Sequence, residues 1–209
     1  RDLPGDLSEP GVARAVARAV PAGGALLVAA SMPIRDVEAY APADGVPGLV
    51  FANRGASGID GTVATAHGLA RGLGEPVVLL IGDLALLHDQ TSLALLRSGP
   101  PVVVVCVNND GGGIFHRLPV ASGPGALDPD TFERMFGTPH GLTFDAAAAQ
   151  MGLAYHAPPT VEAFDDALAT ARDSGASALI EVRTDRAEQT ALRARIEAAV
   201  AAAVDAALA

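Results

Sequence analysis

Six apolar runs of strand length punctuate the chain: ALLVAA at 25–30, GLVFAN at 48–53, PVVLLIG at 76–82, PVVVVCV at 101–107, LAYHA at 153–157 and SALIEV at 177–182. They are rich in β-branched residues and mostly do not alternate with polar positions, the pattern of strands buried on both faces. Stretches with helical character lie between them. One covers 59–73 and closes at Gly74; another covers 89–97, with Gly99 beyond it. Short ones are predicted at 130–136 and 144–151. An amphipathic one covers 160–172, with Thr160 as N-cap and Gly175 past its end, and 186–209 reads as a long terminal helix. This alternation predicts an α/β fold, a mostly parallel sheet of about six strands with helices on both faces. Right-handed crossovers then place ligands at the carboxyl ends of the strands. The Pro/Gly-rich stretch 116–129 is predicted as a mobile loop.

Composition narrows the function classes. Half of the 209 residues are hydrophobic, enough for a sizeable core, and the net charge is −10. That balance argues against nucleic acid or an anionic membrane as a partner, because phosphates are neutralised by basic residues in number. No apolar run reaches the roughly 20 residues of a membrane span. The start, RDLPGDLSEP, has no signal-peptide pattern and no initiator Met, so the chain reads as a piece of a longer protein. The single cysteine, Cys106, lies inside VVVVCV, reads as a buried hydrophobe and fits a cytoplasmic protein. All 14 basic residues are Arg, which excludes a Schiff-base or phosphate-loop lysine within this chain.

Polar motifs fall at four strand ends in a row: SMPIRD at 31–36, NRGASGIDG at 53–61, GDL at 82–84 and NNDGGGIF at 108–115. Together they mark one edge of the sheet as a site. Asp83 ends a very apolar strand, and Asn109 ends the next one, 26 residues on. A carboxylate, an amide oxygen and a backbone carbonyl from the glycine-rich turn form a hard-oxygen set suited to Mg2+ or Mn2+, whose shell phosphate oxygens commonly complete. The glycines let backbone N–H groups approach a diphosphate closely. Either polar residue alone would be read as a helix cap; the pair at this spacing favours a metal. Asp60, Asp89 and Asp110 read as caps and turn residues. His88 and His140 are candidate polar site residues, whereas His67 reads as an ordinary helix histidine. The five scattered His and one Cys argue against a structural zinc.

GDL followed 26 residues on by the NN pair and then DGG resembles the thiamin diphosphate motif. With SMPIRD, NRGASGIDG, GDLALLHD, NNDGGGIF and FGTPHGL in that order, the chain resembles the C-terminal, diphosphate-binding domain of the 2-succinyl-5-enolpyruvyl-6-hydroxy-3-cyclohexene-1-carboxylate synthase (MenD) family, from about residue 25 to 185. The resemblance implies the thiamin diphosphate-binding fold, with 1–20 as a linker or tail from an upstream domain and first helix, 21–185 as the diphosphate-binding domain and 186–209 as a C-terminal helix. It implies thiamin diphosphate and Mg2+ as cofactors, with Asp83, Asn109 and the Gly111 carbonyl on the metal. Gly82, Leu84, Gly112 and Gly113 would line the diphosphate, and Ile59 would wedge the cofactor into its bent form. Ser31, Arg35 and Arg54 would contact substrate carboxylates, and Ile114, Phe115 and Leu118 would form an apolar wall. The family pattern often has Ser where Ala85 stands, so one hydrogen bond to the diphosphate is absent or passes to water.

The implied activity belongs to menaquinone biosynthesis: decarboxylation of 2-oxoglutarate and addition of the resulting carbanion to isochorismate. Paired arginines suit such anionic substrates, since guanidinium binds carboxylate as a fork. The implied partners are the missing pyrimidine-binding and middle domains and further copies of the enzyme, as dimer or tetramer. No motif here supplies the glutamate that activates the cofactor, so the chain alone is expected to be inactive. Two other readings remain: the same domain of an acetolactate synthase or 2-oxoacid decarboxylase, and a non-catalytic nucleotide-binding domain. The arginine motifs weigh against the first, and the lack of a GxGxxG opening or a Walker lysine against the second. Replacing Gly111 or Gly112 by Val is expected to weaken cofactor binding more than the fold.

Overall fold

The computed structural model describes residues 7–53 and 58–208. The six predicted strands are all present: β1 (Ala25–Val28), β2 (Leu49–Ala52), β3 (Val77–Gly82), β4 (Val102–Asn108), β5 (Ala154–His156) and β6 (Ala178–Arg183). They form one sheet in the order β2-β1-β3-β4-β6-β5, and every pairing is parallel. Because side chains alternate along a strand, the apolar runs feed two cores at once. Leu27, Leu79, Ile81, Val104, Cys106 and Leu179 face one layer; Leu26, Val78, Leu80, Val103, Val105 and Ile180 face the other. Cys106 is fully buried, and burial pushes its thiol well up, so it packs as a hydrophobe.

The first layer is covered by α3 (Thr62–Leu73), α4 (Asp83–His88), a 3-10 helix (Gln90–Arg97) and α6 (Asp145–Met151). The second carries α1 (Glu9–Ala19) and α7 (Val161–Asp173), with Val37 of α2 (Met32–Tyr40). α1 is thus part of the domain's own covering layer, with Val12, Ala13 and Val16 in the core. Its start is written locally: Ser8 accepts from the Gly11 N–H as N-cap, and Pro10 sits in the first turn. The last helix, α8 (Arg186–Leu208), buries only Gln189, Leu192 and Arg193. No helix among the described residues is long and apolar enough to cross a membrane.

Three segments differ from the sequence pattern. SMPIRD opens a helix, α2, whose first turn holds Pro33. The stretch predicted as a helix at 89–97 tightens to a 3-10 helix, with Asp89 turned to cap α3 at Ala64 N and to accept from Ser92 Oγ. The helix predicted at 130–136 is one α turn, α5 (Pro129–Phe132), running into a π turn (Glu133–Gly137) closed by the bond from Thr138 N to Glu133 O. Within the stretch predicted as a loop at 116–129, Leu118, Val120 and Gly123 carbonyls accept backbone bonds from Ala121, Leu127 and Ala126.

Candidate functional site

The strand order reverses at β1: the chain leaves it outward to β2 and returns on its other side as β3. At such a switch point two loops diverge from neighbouring strand ends and leave a crevice. A cleft of about 490 Å3 opens there, lined by residues of the β1, β2, β3 and β4 carboxyl ends. Ser31, Arg35, Ile59, Gly82, Asp83, Leu84, Asn109, Gly111, Gly112, Gly113, Ile114 and Phe115 all line it. Two predicted residues do not join them. Arg54 lies outside the described residues. Leu118 is exposed and away from the cleft wall, because the 3-10 turn Gly113–Arg117 ends before it and the backbone there becomes extended. His88 is exposed as well.

Asp83 is buried at the first residue of α4 and is fully engaged. Its Oδ1 accepts from the Leu84 N–H at 2.7 Å, and its Oδ2 from the Gly111 N–H at 2.8 Å. His140 lies 3.1 Å from Oδ2 through Nε2, while its Nδ1 accepts from the Leu142 N–H. That second bond assigns the proton to Nε2, so the ring donates to the carboxylate. Burial pushes the Asp83 carboxyl up, against the lowering pull of the Gly111 N–H and His140. Asp110, at φ 60°, holds the same loop by accepting from the His140 and Gly141 N–H groups through Oδ1.

Asn109 is the complementary case. Its Nδ2 donates to Glu9 Oε1 at 2.8 Å, but its Oδ1 is buried with no hydrogen-bond partner among the described residues. A buried acceptor without a donor is costly in a folded protein. An amide oxygen left bare in a cleft that also holds a carboxylate fits a hard cation. Among the described residues, no three His, Cys, Asp or Glu cluster as a metal site, so a cation in this cleft would need amide or backbone carbonyl oxygens beside the Asp83 carboxylate. The Gly111 carbonyl accepts from Gly113 N and keeps a second lone pair.

The triple glycine has a second duty. A Cβ on Gly111 would stand 2.0 Å from the Gly137 carbonyl oxygen, and one on Gly112 would stand 2.2 Å from that of Phe136. Gly137 O is held in place by accepting from Gly112 N at 2.8 Å. The bare backbone at 111 and 112 therefore admits the π turn of this chain. A side chain at either position therefore strains the fold itself, which weighs against the expectation that cofactor binding is weakened more than the fold. Gly82, by contrast, has open space where a Cβ would go.

Arg35, expected to contact a substrate carboxylate, is exposed and donates to the Ser31 carbonyl at 2.6 Å. Ser31 itself has φ 73°, unusual for a residue with a side chain, at the turn from β1 into α2. Asp36 points elsewhere. It is buried and bound by Arg193 Nε at 3.2 Å and Nη2 at 2.7 Å, while Arg193 Nη2 also reaches Glu9 Oε2 at 2.5 Å. Glu9, Arg193 and the loop-fixing role of His140 were not visible in the sequence pattern. A further buried carboxylate, Glu181, accepts from Asn108 Nδ2, Phe144 N and Tyr155 OH, tying β6 to the chain around the 108–110 turn.

Two carboxylates share one guanidinium in this cluster, and burial pushes Asp36 up to about 6 despite the attraction of Arg193. Arg193 is itself raised, despite burial, by Glu9 and Asp36, so the carboxylate is the group that titrates. A folded-state value above the ordinary 3.8 means that stability is fullest below 3.8 and is lost as pH rises through about 6. Asp36→Asn lacks this loss. Its stability relative to the parent is expected to rise by up to about 3 kcal/mol between pH 4 and 7 in urea denaturation. A flat or falling difference would mean that the ion pair outweighs its desolvation.

Comparison with known proteins agrees with this geometry. The family model "Thiamine pyrophosphate enzyme, C-terminal TPP binding domain" matches residues 36–182. The 2-succinyl-5-enolpyruvyl-6-hydroxy-3-cyclohexene-1-carboxylate synthase of Rubrobacter xylanophilus is 59% identical over 186 residues, which cover 89% of this chain and 31% of that protein. The enzyme of the same name from Salinibacter ruber is 52% identical over 199 residues, covering 95% of this chain and 32% of that one. The chain spans about a third of the length of these curated relatives. In structure it resembles benzoylformate decarboxylase from Polynucleobacter necessarius, with a TM-score of 0.65 at 19% identity over 88% of this chain and 34% of that one, a likeness of fold alone. A parallel sheet with its cleft at the switch point, a bare amide oxygen beside a buried aspartate, and a family match over most of its length together make this chain a member of the thiamine pyrophosphate enzyme C-terminal TPP-binding domain family.

Proposed function

We propose that this chain is the diphosphate-binding part of a 2-succinyl-5-enolpyruvyl-6-hydroxy-3-cyclohexene-1-carboxylate synthase, acting in menaquinone biosynthesis in the cytoplasm as part of a homo-oligomer. The observation that carries the metal-dependent reading is the partnerless Oδ1 of Asn109 in the cleft that also holds Asp83. The choice among thiamin diphosphate enzymes rests on the 59% and 52% identity to enzymes of that name.

In this reading Asp83, Asn109 and the Gly111 carbonyl hold Mg2+ or Mn2+. Gly82, Leu84, Gly112 and Gly113 face the diphosphate, and Ile59 supports the bent cofactor. Thiamin diphosphate, when bound, supplies the electron sink for decarboxylation and carbon–carbon bond formation. The chain's own residues bind and orient. His140 and the Gly111 and Leu84 N–H groups fix the Asp83 carboxylate. Ile114 and Phe115 exclude water from one wall, with Phe115 held edge-on to Phe136 at 5.4 Å. Ser31 and Arg35, on the cleft wall, and Arg54, outside the described residues, are assigned to the carboxylates of 2-oxoglutarate and isochorismate. The activating glutamate is assigned to a pyrimidine-binding domain outside this chain.

The test is an assay of the full gene product with thiamin diphosphate and Mg2+. Joint consumption of 2-oxoglutarate and isochorismate is expected, with neither pyruvate nor benzoylformate replacing 2-oxoglutarate. Turnover of pyruvate alone would move the chain to another enzyme of the class. Decarboxylation of 2-oxoglutarate by residues 1–209 in isolation would overturn the assignment of the glutamate to another domain.

A further inference from the structure

We propose that Glu9 is a positioning residue that sets the orientation of the Asn109 amide, so that oxygen rather than nitrogen is presented to the cation. The proposal rests on the reading of Asn109 as a metal ligand. A side-chain amide can turn over, exchanging a donor group for an acceptor with little change of shape. Only its partners decide which end faces the cleft. Glu9 is acceptor-only when ionised, and its Oε1 lies 2.8 Å from Asn109 Nδ2. The reverse orientation would set two acceptors against each other and aim an NH2 group at the cation.

Glu9 is itself held rigidly. Arg193 Nη2 donates to its Oε2 at 2.5 Å, Thr184 Oγ1 donates to its Oε1 at 3.1 Å, and Gln189 Oε1 accepts from its backbone N–H at 3.0 Å. The Glu9 side chain is only 2% exposed, so it cannot swing to solvent. On the other flank, a Cβ at Gly113 would come within 2.8 Å of Asn109 Nδ2, so glycine leaves the amide the room it occupies. Glu9, Thr184, Gln189 and Arg193 all fall outside residues 36–182, the span that the family model matches. The ligand thus takes its orientation from the two helices that flank that span.

The experiment measures Mn2+ binding to the full gene product by electron paramagnetic resonance, with thiamin diphosphate in excess, beside thermal melting. In Glu9→Gln the new amide keeps its oxygen toward Arg193 and turns its NH2 toward Asn109, favouring the wrong orientation. Mn2+ affinity is expected to fall roughly 10- to 100-fold, the usual effect of removing an outer partner of a metal ligand. Leu93→Ala removes buried contacts in the other core layer, outside the cleft lining and without touching Glu9 or Asn109, and should lower the melting temperature with Mn2+ affinity kept within about twofold. Glu9→Gln combined with Asn109→Asp restores a donor–acceptor pair of reversed polarity, and should bind Mn2+ more tightly than Asn109→Asp alone. That comparison stands even if Glu9→Gln alone fails to fold. Unchanged affinity in Glu9→Gln, an equal fall in Leu93→Ala, or no gain in the double variant would overturn the role of Glu9. Failure of the parent protein to bind Mn2+ would instead overturn the metal reading itself.

Discussion

Gly111→Val is expected to lose the fold and cofactor binding together. The residue sits at φ 133°, a backbone state that side chains rarely adopt. Its missing Cβ would lie 2.0 Å from the Gly137 carbonyl oxygen and 3.1 Å from the Gly137 carbonyl carbon. Those atoms are backbone and are pinned by the bond to Gly112 N, so they cannot give way as a flexible side chain would. Strain of about 1–3 kcal/mol adds to overpacking of about 1–3 kcal/mol, a large share of the roughly 5–15 kcal/mol that holds a domain together. Urea denaturation should show the loss without any cofactor present. A native-like melt with cofactor binding abolished would mean that the glycine serves ligand clearance alone. Gly82→Ala isolates that second role, because a Cβ there meets nothing within 4 Å. Its melt should stay close to that of the parent, and any loss of thiamin diphosphate affinity then reports on clearance.

The same contrast explains what the sequence could and could not carry. The six strands were legible as short apolar runs rich in β-branched residues, but the expected burial on both faces holds only for β1, β3, β4 and β6; at the edges of the sheet β2 is exposed and β5 half-buried to exposed, because an edge strand has a neighbour on one side only. A site at the carboxyl ends of the strands followed from their parallel pairing, whereas the strand order that opens the cleft between β1 and β3 is set by the folded sheet. Asp83 and Asn109 were legible as a pair because each follows such a run directly, and β3 and β4 are hydrogen-bonded neighbours. The α2 helix was hidden because SMPIRD looks like a loop: the only local cue is Pro33, which serves a first helical turn as well as it serves a bend. The π turn was hidden because its placement depends on glycine at 111 and 112, more than 20 residues upstream.

Long-range polar partners were hidden for a stronger reason. Glu9 follows an N-cap serine and reads locally as an acidic first-turn residue, which favours the helix through its dipole. Nothing near it in sequence indicates Asn109, 100 residues away, or Arg193, 184 residues away. Asp36 misled in the opposite direction, since it adjoins Arg35 yet pairs with Arg193. Local spacing can place a ligand at a strand end; it cannot reveal which buried charges orient that ligand.

Asp83→Ala is expected to abolish metal-dependent cofactor binding and to weaken the fold by about 2–5 kcal/mol, because it strips acceptors from buried donors. The Gly111 N–H, the Leu84 N–H and the His140 ring all lose their acceptor at once. Asp83→Asn separates the two effects. The amide keeps the shape and one oxygen, so much of the loop survives, but the formal charge that draws a divalent cation is gone and one N–H faces a former donor. Its melting temperature should fall less than that of Asp83→Ala, while its Mn2+ affinity in the presence of thiamin diphosphate should fall at least about 100-fold. Full activity of the gene product should drop with the affinity and recover in part at high Mn2+. Asp83→Asn with parental Mn2+ affinity would remove Asp83 from the metal and leave it as the residue that anchors Gly111 and His140. Equal loss of stability in both variants would show that the negative charge itself, rather than the shape of the side chain, holds the 108–113 turn against the sheet.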